Sequence, residues 1–356
     1  MNRTGNFRKT IGFSRGRRNL LAAMPVLALA PMSCATESGP APVAVRKLHS
    51  FRIRSSDVAR SVAFYQDVFG APIQARQGDE VVLRVGEGPH YFSIAPAEPG
   101  ETPSIAHMGL SVADFDVDAV QEQLRAFGVE PGPGPQSPAD RLSVGLTSWV
   151  RERQGGTREL YFADVEGLIY HLSSPMDCGG NGILGDVCNA IEQAPSAGMF
   201  QLVDYNHFTN FTANRGRAND FHRQVFGKEF QAYQGPNAPV VGVGDGFQFL
   251  MYAGGSEEGP LQNPALIHHV CFTMNNFDVG DILNQLTDYG LTARSDPADT
   301  QPLMHWVSMR MPDRGGFETG TPEVYFSDPD NIFIQVQDPS YCGGGGYLGE
   351  DCPPLA

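Results

Sequence analysis

Residues 48–55, "LHSFRIRS", alternate polar and apolar in the manner of a strand with one buried face. A helix is expected next: Val58, Val62, Tyr65 and Phe69 recur at spacings of four, three and four and so share one helical face. Short β-rich runs follow, "EVVLRVG" and "HYFSIAP", broken by Gly and Pro. The pattern then restarts with the strand "IAHMGLSV", the helix "VDAVQEQLRAFG" and the strands "SWVRER", "RELYFAD" and "LIYHLSS". The expected order is β-α-β-β-β, and it is written four times along the chain.

The repeat has a second level. "GGTRELYFADVEGLIYHLSSPMDC" matches "GGFETGTPEVYFSDPDNIFIQVQDPSYC", and "AHMGLSVADFDVDAVQEQLRAFGVEP" matches "HHVCFTMNNFDVGDILNQLTDYGLTA". Upstream, "LHSFRIRSSDVARSVAFYQDVFG" matches "NHFTNFTANRGRANDFHRQVFG". The chain therefore divides into residues 1–45, a first domain at 46–190 and a second at 191–356. The fold class is α+β, with tandem duplicated domains of two βαβββ modules each. Only "PAEPGETPSI" joins modules one and two, so these two are expected to pair.

The N-terminus adds an address. Basic residues precede an apolar run from Leu20 to Ala30 that is too short to span a bilayer and has the shape of a secretory signal. Arg17-Arg18-Asn19-Leu20-Leu21 resembles a twin-arginine signal, and Ala30–Cys34 a lipoprotein cleavage site. The reading is an exported, periplasmic protein, with membrane attachment only through a lipid at Cys34. Cutting before Cys34 removes six basic residues and no acid, taking the formal charge from −15 to about −21. Such a surface repels phosphate backbones, which argues against nucleic acid as a partner.

Each repeat ends in a Gly-rich loop between cysteines ten positions apart, Cys178–Cys188 and Cys342–Cys352. Export permits disulfides, and closing such a loop stabilises by about 2.8 kcal/mol on the chain-entropy model. A metal site is the rival reading, but no His lies inside the loops and the paired CxxC spacing is missing. Cys271 is left over and reads as a buried thiol.

Four βαβββ modules, with "YFADVEGLIYHL" and "YFSDPDNIFIQV" closing the even ones, resemble the vicinal oxygen chelate superfamily of glyoxalase I, extradiol dioxygenases and bleomycin-resistance proteins. The resemblance implies that two modules curl into one cupped mixed sheet around a divalent metal. Ligands would come from the first strand of each module and the last strand of the even module. Carried over residue by residue, the metal ligands are His49, His107 and His171 in the first domain and His207, His269 and Gln335 in the second. Three neutral imidazoles suit Zn²⁺ or Fe²⁺, and the first domain is the better set on this reading. Gln335 supplies only an amide where the family carries a carboxylate. His268 should face away from His269, because side chains alternate along a strand.

Glu159 with Tyr161, and Glu323 with Tyr325, share a strand face in each domain and are the acid/base candidates. His222 matches Tyr65 in its helix and reads as a surface or packing residue. The implied function is an exported metal-dependent enzyme of lyase, isomerase or dioxygenase type. Its substrate would be a small hydrophobic or aromatic oxygenated molecule. The alternative is a small-molecule-sequestering protein of the bleomycin-resistance type without catalysis.

Overall fold

The computed structural model describes residues 40–136, 145–153, 155–188, 191–235, 238–255 and 265–344. The signal-like segment, Cys34 and Cys352 lie outside them, and Pro40 onward forms one compact unit. Module one is β1 (Val45–Ser55), α1 (Val58–Phe69), β2 (Ile73–Gln77), β3 (Glu80–Arg84) and β4 (Tyr91–Pro96). Module two is β5 (Ser104–Val112), α2 (Val117–Ala126), β6 (Glu130–Pro131), β7 (Thr147–Glu152), β8 (Arg158–Ala163) and β9 (Ile169–Ser173). Module three is β10 (Leu202–Phe211), α3 (Arg215–Phe226), β11 (Phe230–Tyr233), β12 (Pro239–Gly242) and β13 (Phe249–Ala253). Module four is β14 (Leu266–Met274), α4 (Val279–Tyr289), β15 (Thr292–Ala293), β16 (Met304–Arg310), β17 (Thr321–Ser327) and β18 (Phe333–Gln337).

The four α-helices among the described residues start by one device. Asp57, Asp116, Asn214 and Asp278 cap the helices, each accepting a hydrogen bond from the backbone N–H three residues on. Gly70 and Gly227 end α1 and α3 at φ 63° and 59°, left-handed values that glycine adopts without Cβ strain.

Modules one and two do pair. β1 runs antiparallel to β5, giving the strand order β2-β3-β4-β1-β5-β9-β8-β7-β6. The second half repeats it as β11-β12-β13-β10-β14-β18-β17-β16-β15. Among the described residues a single bridge, Ile105 to Ile267, joins the two sheets. Alternation sorts the strand residues. Leu48, Phe51, Met108 and Leu172 enter the main core, while Arg52, His107 and Tyr161 line a cavity on the other face.

The core lies between the halves. Phe51 and Phe92 meet Phe272 at 6.0 and 6.2 Å between ring centroids, and Phe51 meets Phe208 at 5.9 Å. The odd-module helices cross over to the other half. Tyr65 of α1 donates to Asp328 in the closing turn of module four at 3.0 Å, and His222 of α3 lies 2.9 Å from Asp164 in the closing turn of module two. Arg60 pairs with Asp330 and Arg217 with Glu166 in the same relation. His222 is fully buried, so it is a packing residue and not a surface one.

Cys178 and Cys188 form a disulfide, and Cys271 is an unpaired, buried thiol. No helix among the described residues is long and apolar enough to cross a membrane.

Candidate functional site

Strand register decides which side chains meet. In the second half His207, Cys271 and Gln335 stand side by side on β10, β14 and β18. In the first half the same row reads Ser50, Gly109 and His171. Ser50 faces Tyr91 on β4 as His207 faces Phe249 on β13, which confirms the correspondence.

His49 therefore does not stand where His207 stands, contrary to the sequence expectation. It sits in a register shift between Leu48 and Ser50, and its counterpart is Asn206, in the shift between Tyr205 and His207. The two share a task. His49 Nε2 lies 2.6 Å from the carbonyl oxygen of Asp177, and Asn206 Nδ2 donates to that of Tyr341 at 2.7 Å. Both tie β1 or β10 to the segment that leads into the terminal Cys loop. Burial lowers the His49 pKa to about 4, which leaves the ring neutral.

His107 and His171 do face the first cup, with ring centroids 6.0 Å apart and His171 stacked on Tyr161 at 4.8 Å. Among the described residues no three His, Cys, Asp or Glu side chains form a cluster able to hold a metal ion. The first-half set of three histidines is thus not assembled, because its third slot is Ser50.

The second set is assembled differently, with an amide as its third member. The His207 and His269 rings lie 5.5 Å apart, and Gln335 sits against both of them. Gln335 is fully buried and its amide faces both imidazoles, yet its Oε1 and Nε2 and His269 Nε2 form no hydrogen bond of good geometry. Each such group costs about 1–3 kcal/mol if nothing answers it.

The His207 imidazole is prepared as the donor of a lone pair. Because Asn206 Nδ2 donates to Tyr341, its Oδ1 turns to His207 Nδ1 at 2.8 Å. An amide oxygen only accepts, so Nδ1 carries the proton and Nε2 keeps its lone pair. His268 Nδ1 stands 2.8 Å from His269 Nδ1, so the two rings are coupled and not independent as strand alternation suggested. Burial lowers the His207 pKa to about 3 and drives that of His269 well down, so both rings stay neutral. These residues fit a divalent ion through two imidazole nitrogens and one amide oxygen, a neutral set suited to Zn²⁺ or Fe²⁺.

The acid/base candidates lie where expected but are engaged. Glu159 is bound by Arg153 at 3.0 and 2.5 Å, and Glu323 by Arg310 at 2.8 and 2.6 Å. Burial opposes ionisation of Glu159, but His171, Arg153 and Arg52 outweigh it and hold its pKa at about 2. It is a fixed anion near neutral pH, not a proton carrier. Glu323 also accepts from the hydroxyls of Tyr341 at 2.8 Å and Tyr325 at 3.3 Å. Burial keeps both tyrosines protonated well above their usual range. Tyr325 packs its ring 5.2 Å from His269, and Tyr161 stacks on Trp149 at 5.8 Å.

Sequence reasoning missed Ser50, Asn206 and the two arginines, Arg153 and Arg310. One signal was available: counted back without a gap from the shared VFG at 68–70 and 225–227, Ser50 falls opposite His207 and His49 opposite Asn206.

Residues 47–156 match the family model of the Glyoxalase/Bleomycin resistance protein/Dioxygenase superfamily. A 2,2',3-trihydroxybiphenyl dioxygenase of Sphingomonas paucimobilis is 27% identical over 139 residues, which are 38% of this chain and 46% of that protein. The match thus spans less than half the length of that relative. Among solved structures, homoprotocatechuate 2,3-dioxygenase of Arthrobacter globiformis superposes with a TM-score of 0.55 at 16% identity, covering 84% of this chain and 81% of that one. The enzyme of Brevibacterium fuscum, solved with 3,4-dihydroxyphenylacetate, gives 0.56 at 18% identity, covering 88% and 85%. Residues 47–156 are thus similar to the Glyoxalase/Bleomycin resistance protein/Dioxygenase superfamily, within a fold that the chain shares with extradiol dioxygenases.

Proposed function

We propose that this protein is an exported, metal-dependent enzyme of dioxygenase type, with its working site in the second half. The observation that carries this is the buried convergence of the Gln335 amide on the His207 and His269 rings, with no well-formed hydrogen bond at Gln335 Oε1 or Nε2 or at His269 Nε2, beside a His207 whose tautomer Asn206 fixes. A divalent ion held there would supply Lewis-acid activation of an oxygenated substrate. His207, His269 and Gln335 would hold it, and all three are neutral. The site therefore favours substrates that bring their own anionic oxygen, as ionised aromatic diols do. The relatives named above act on or bind such molecules. Tyr325 keeps its hydroxyl proton and turns it to Glu323, which gives the cup wall a fixed polarity. The Cys178–Cys188 bridge supports export, because such bonds persist in oxidising compartments.

The same neutral donor set favours one second reading, a binding protein that sequesters its ligand without catalysis. The test is to load the full chain anaerobically with Fe²⁺, or with Zn²⁺, and measure metal content and ring cleavage of 3,4-dihydroxyphenylacetate and 2,3-dihydroxybiphenyl. About one ion per chain, lost in Gln335→Leu, supports the metal centre. Cleavage supports the enzyme. Protein that takes up no metal, yet binds the diols, leaves the sequestering reading. Cell fractionation tests export.

A further inference from the structure

The first cup encloses a cavity of about 370 Å³, within the range that takes small molecules. Arg52, Arg54 and Arg151 line it together with His107, Trp149 and Tyr161, and the carboxylates of Glu98 and Glu101 also border it. The two halves can be compared position by position. Trp149 faces Tyr161 across β7 and β8 as Trp306 faces Tyr325 across β16 and β17, and both pairs are stacked, at 5.8 and 5.4 Å. This aromatic wall is common to both cups.

The charges are not. By the same register, Arg52 corresponds to Thr209, Arg54 to Phe211 and Arg151 to Ser308. The first cup has Ser50 where the second has His207, and three guanidinium groups whose counterparts are uncharged; the second cup's aromatic wall carries one guanidinium from elsewhere, Arg294, 4.7 Å from the centre of the Trp306 ring and tied to the Asp296 carbonyl. Positive charge in the first cup thus comes from side chains, without need of an ion.

These arginines differ in what they already hold. Arg52 is half-buried and paired with Glu80 at 2.8 Å. Arg54 donates to the Pro96 carbonyl at 3.0 Å and stands 4.0 Å from Glu101. Arg151 enters no ion pair among the described residues. Its guanidinium lies 5.8 Å from the centre of the Tyr161 ring, at the solvent side of the cavity. A cation without a counter-ion, beside stacked aromatic rings, is a receptor for a flat anion. His107 makes no hydrogen bond to a described residue and lines the same cavity.

We propose that the first cup is a separate, metal-independent binding site for a planar aromatic carboxylate. Arg151 takes the carboxylate, and the ring lies against Trp149, Tyr161 and Ile169. His107 and the Tyr161 hydroxyl offer the inner hydrogen bonds. The proposal does not rest on the metal centre of the second half.

Isothermal titration of the full, chelator-treated chain with 2-naphthoate tests it, with 2-naphthamide as the uncharged control. One binding site is expected. Affinity should fall at least tenfold for the amide, and at least tenfold in Arg151→Gln, with partial recovery in Arg151→Lys. Arg151 is exposed on a strand, so both variants should melt as the parent does. Gln335→Leu should bind 2-naphthoate unchanged. Absence of binding, equal affinity in Arg151→Gln, or loss of binding in Gln335→Leu would each overturn the proposal. The last result would move the ligand to the second cup.

Discussion

Asn206 orients His207: its amide oxygen meets the Nδ1 of the next residue in the chain at 2.8 Å, while its amide nitrogen is anchored on the Tyr341 carbonyl at 2.7 Å. An outer hydrogen bond of this kind typically sustains 10- to 100-fold in metal affinity. Asn206→Ala should therefore weaken Zn²⁺ binding by about that factor. Asn206→Asp keeps an acceptor for Nδ1 and should lose much less. Competition with a chromophoric chelator measures both. Equal affinity in Asn206→Ala and the parent would show that His207 needs no such partner.

Gln335→Glu exchanges a neutral donor for an anionic one. A carboxylate offsets the charge of a dication, so metal affinity should rise at least tenfold. Without metal the new group is a buried acid whose basic neighbours, His207 and His269, are themselves held neutral by burial, and it should lower the melting temperature. The metal-induced rise in melting temperature should then exceed that of the parent, because stabilisation follows the binding constant. Thermal melts with and without Zn²⁺ decide this. A smaller metal-induced rise would remove residue 335 from the donor set.

The repeat, the strand order and the helix faces were readable because periodicity carries them. Tyr65 and Phe69 are buried as their spacing required. Cups could be expected from the resemblance alone. The ligand row was lost by matching histidine to histidine; counted back without a gap from the shared VFG, the chain puts Ser50 opposite His207, and the register shift lies at the same place in both first strands. His49 and His207 look equivalent when the histidines are aligned, yet β4 and β13 place Ser50 opposite His207. The contacts between halves were equally hidden. Asp164 and Asp328 read as turn residues within their own modules, and their partners His222 and Tyr65 stand 58 and 263 residues away.

Asp328 gives the fold a pH dependence. Burial, working against hydrogen bonds from Ile332, Tyr65 and Asp330, raises its pKa from 3.8 to about 6. Between those values the native state holds more protons than the unfolded chain. This residue's contribution to stability is therefore present at low pH and lost as pH rises through about 6. Asp330, whose pKa is lowered, acts below that window with the opposite sign. Asp328→Asn keeps an oxygen for the two backbone donors and removes the titration. Its stability should change less between pH 4 and 6.5 than that of the parent, as read from urea midpoints. A parent whose midpoint rises steeply over that range, unchanged in Asp328→Asn, would assign the dependence elsewhere.

Ser50 marks the slot at which the two cups part ways. It stands in the row of Gly109 and His171, its Oγ is buried without a partner, and a Cβ built on Gly109 would lie 2.0 Å from that oxygen. Glycine at 109 therefore leaves the space beside residue 50 open, whereas Cys271 fills the matching place beside His207. Ser50→His should put a third imidazole next to His107 and His171 and create the three-nitrogen set that His49 does not supply. In a Gln335→Leu background, which silences the second cup, the full chain should change from binding no Zn²⁺ to binding about one ion. Adding His107→Ala should abolish that gain, since two imidazoles rarely hold such an ion tightly. Metal analysis after dialysis reads the result. If Ser50→His folds, as judged by an intact thermal transition, and binds no metal, then register is not what separates the two cups.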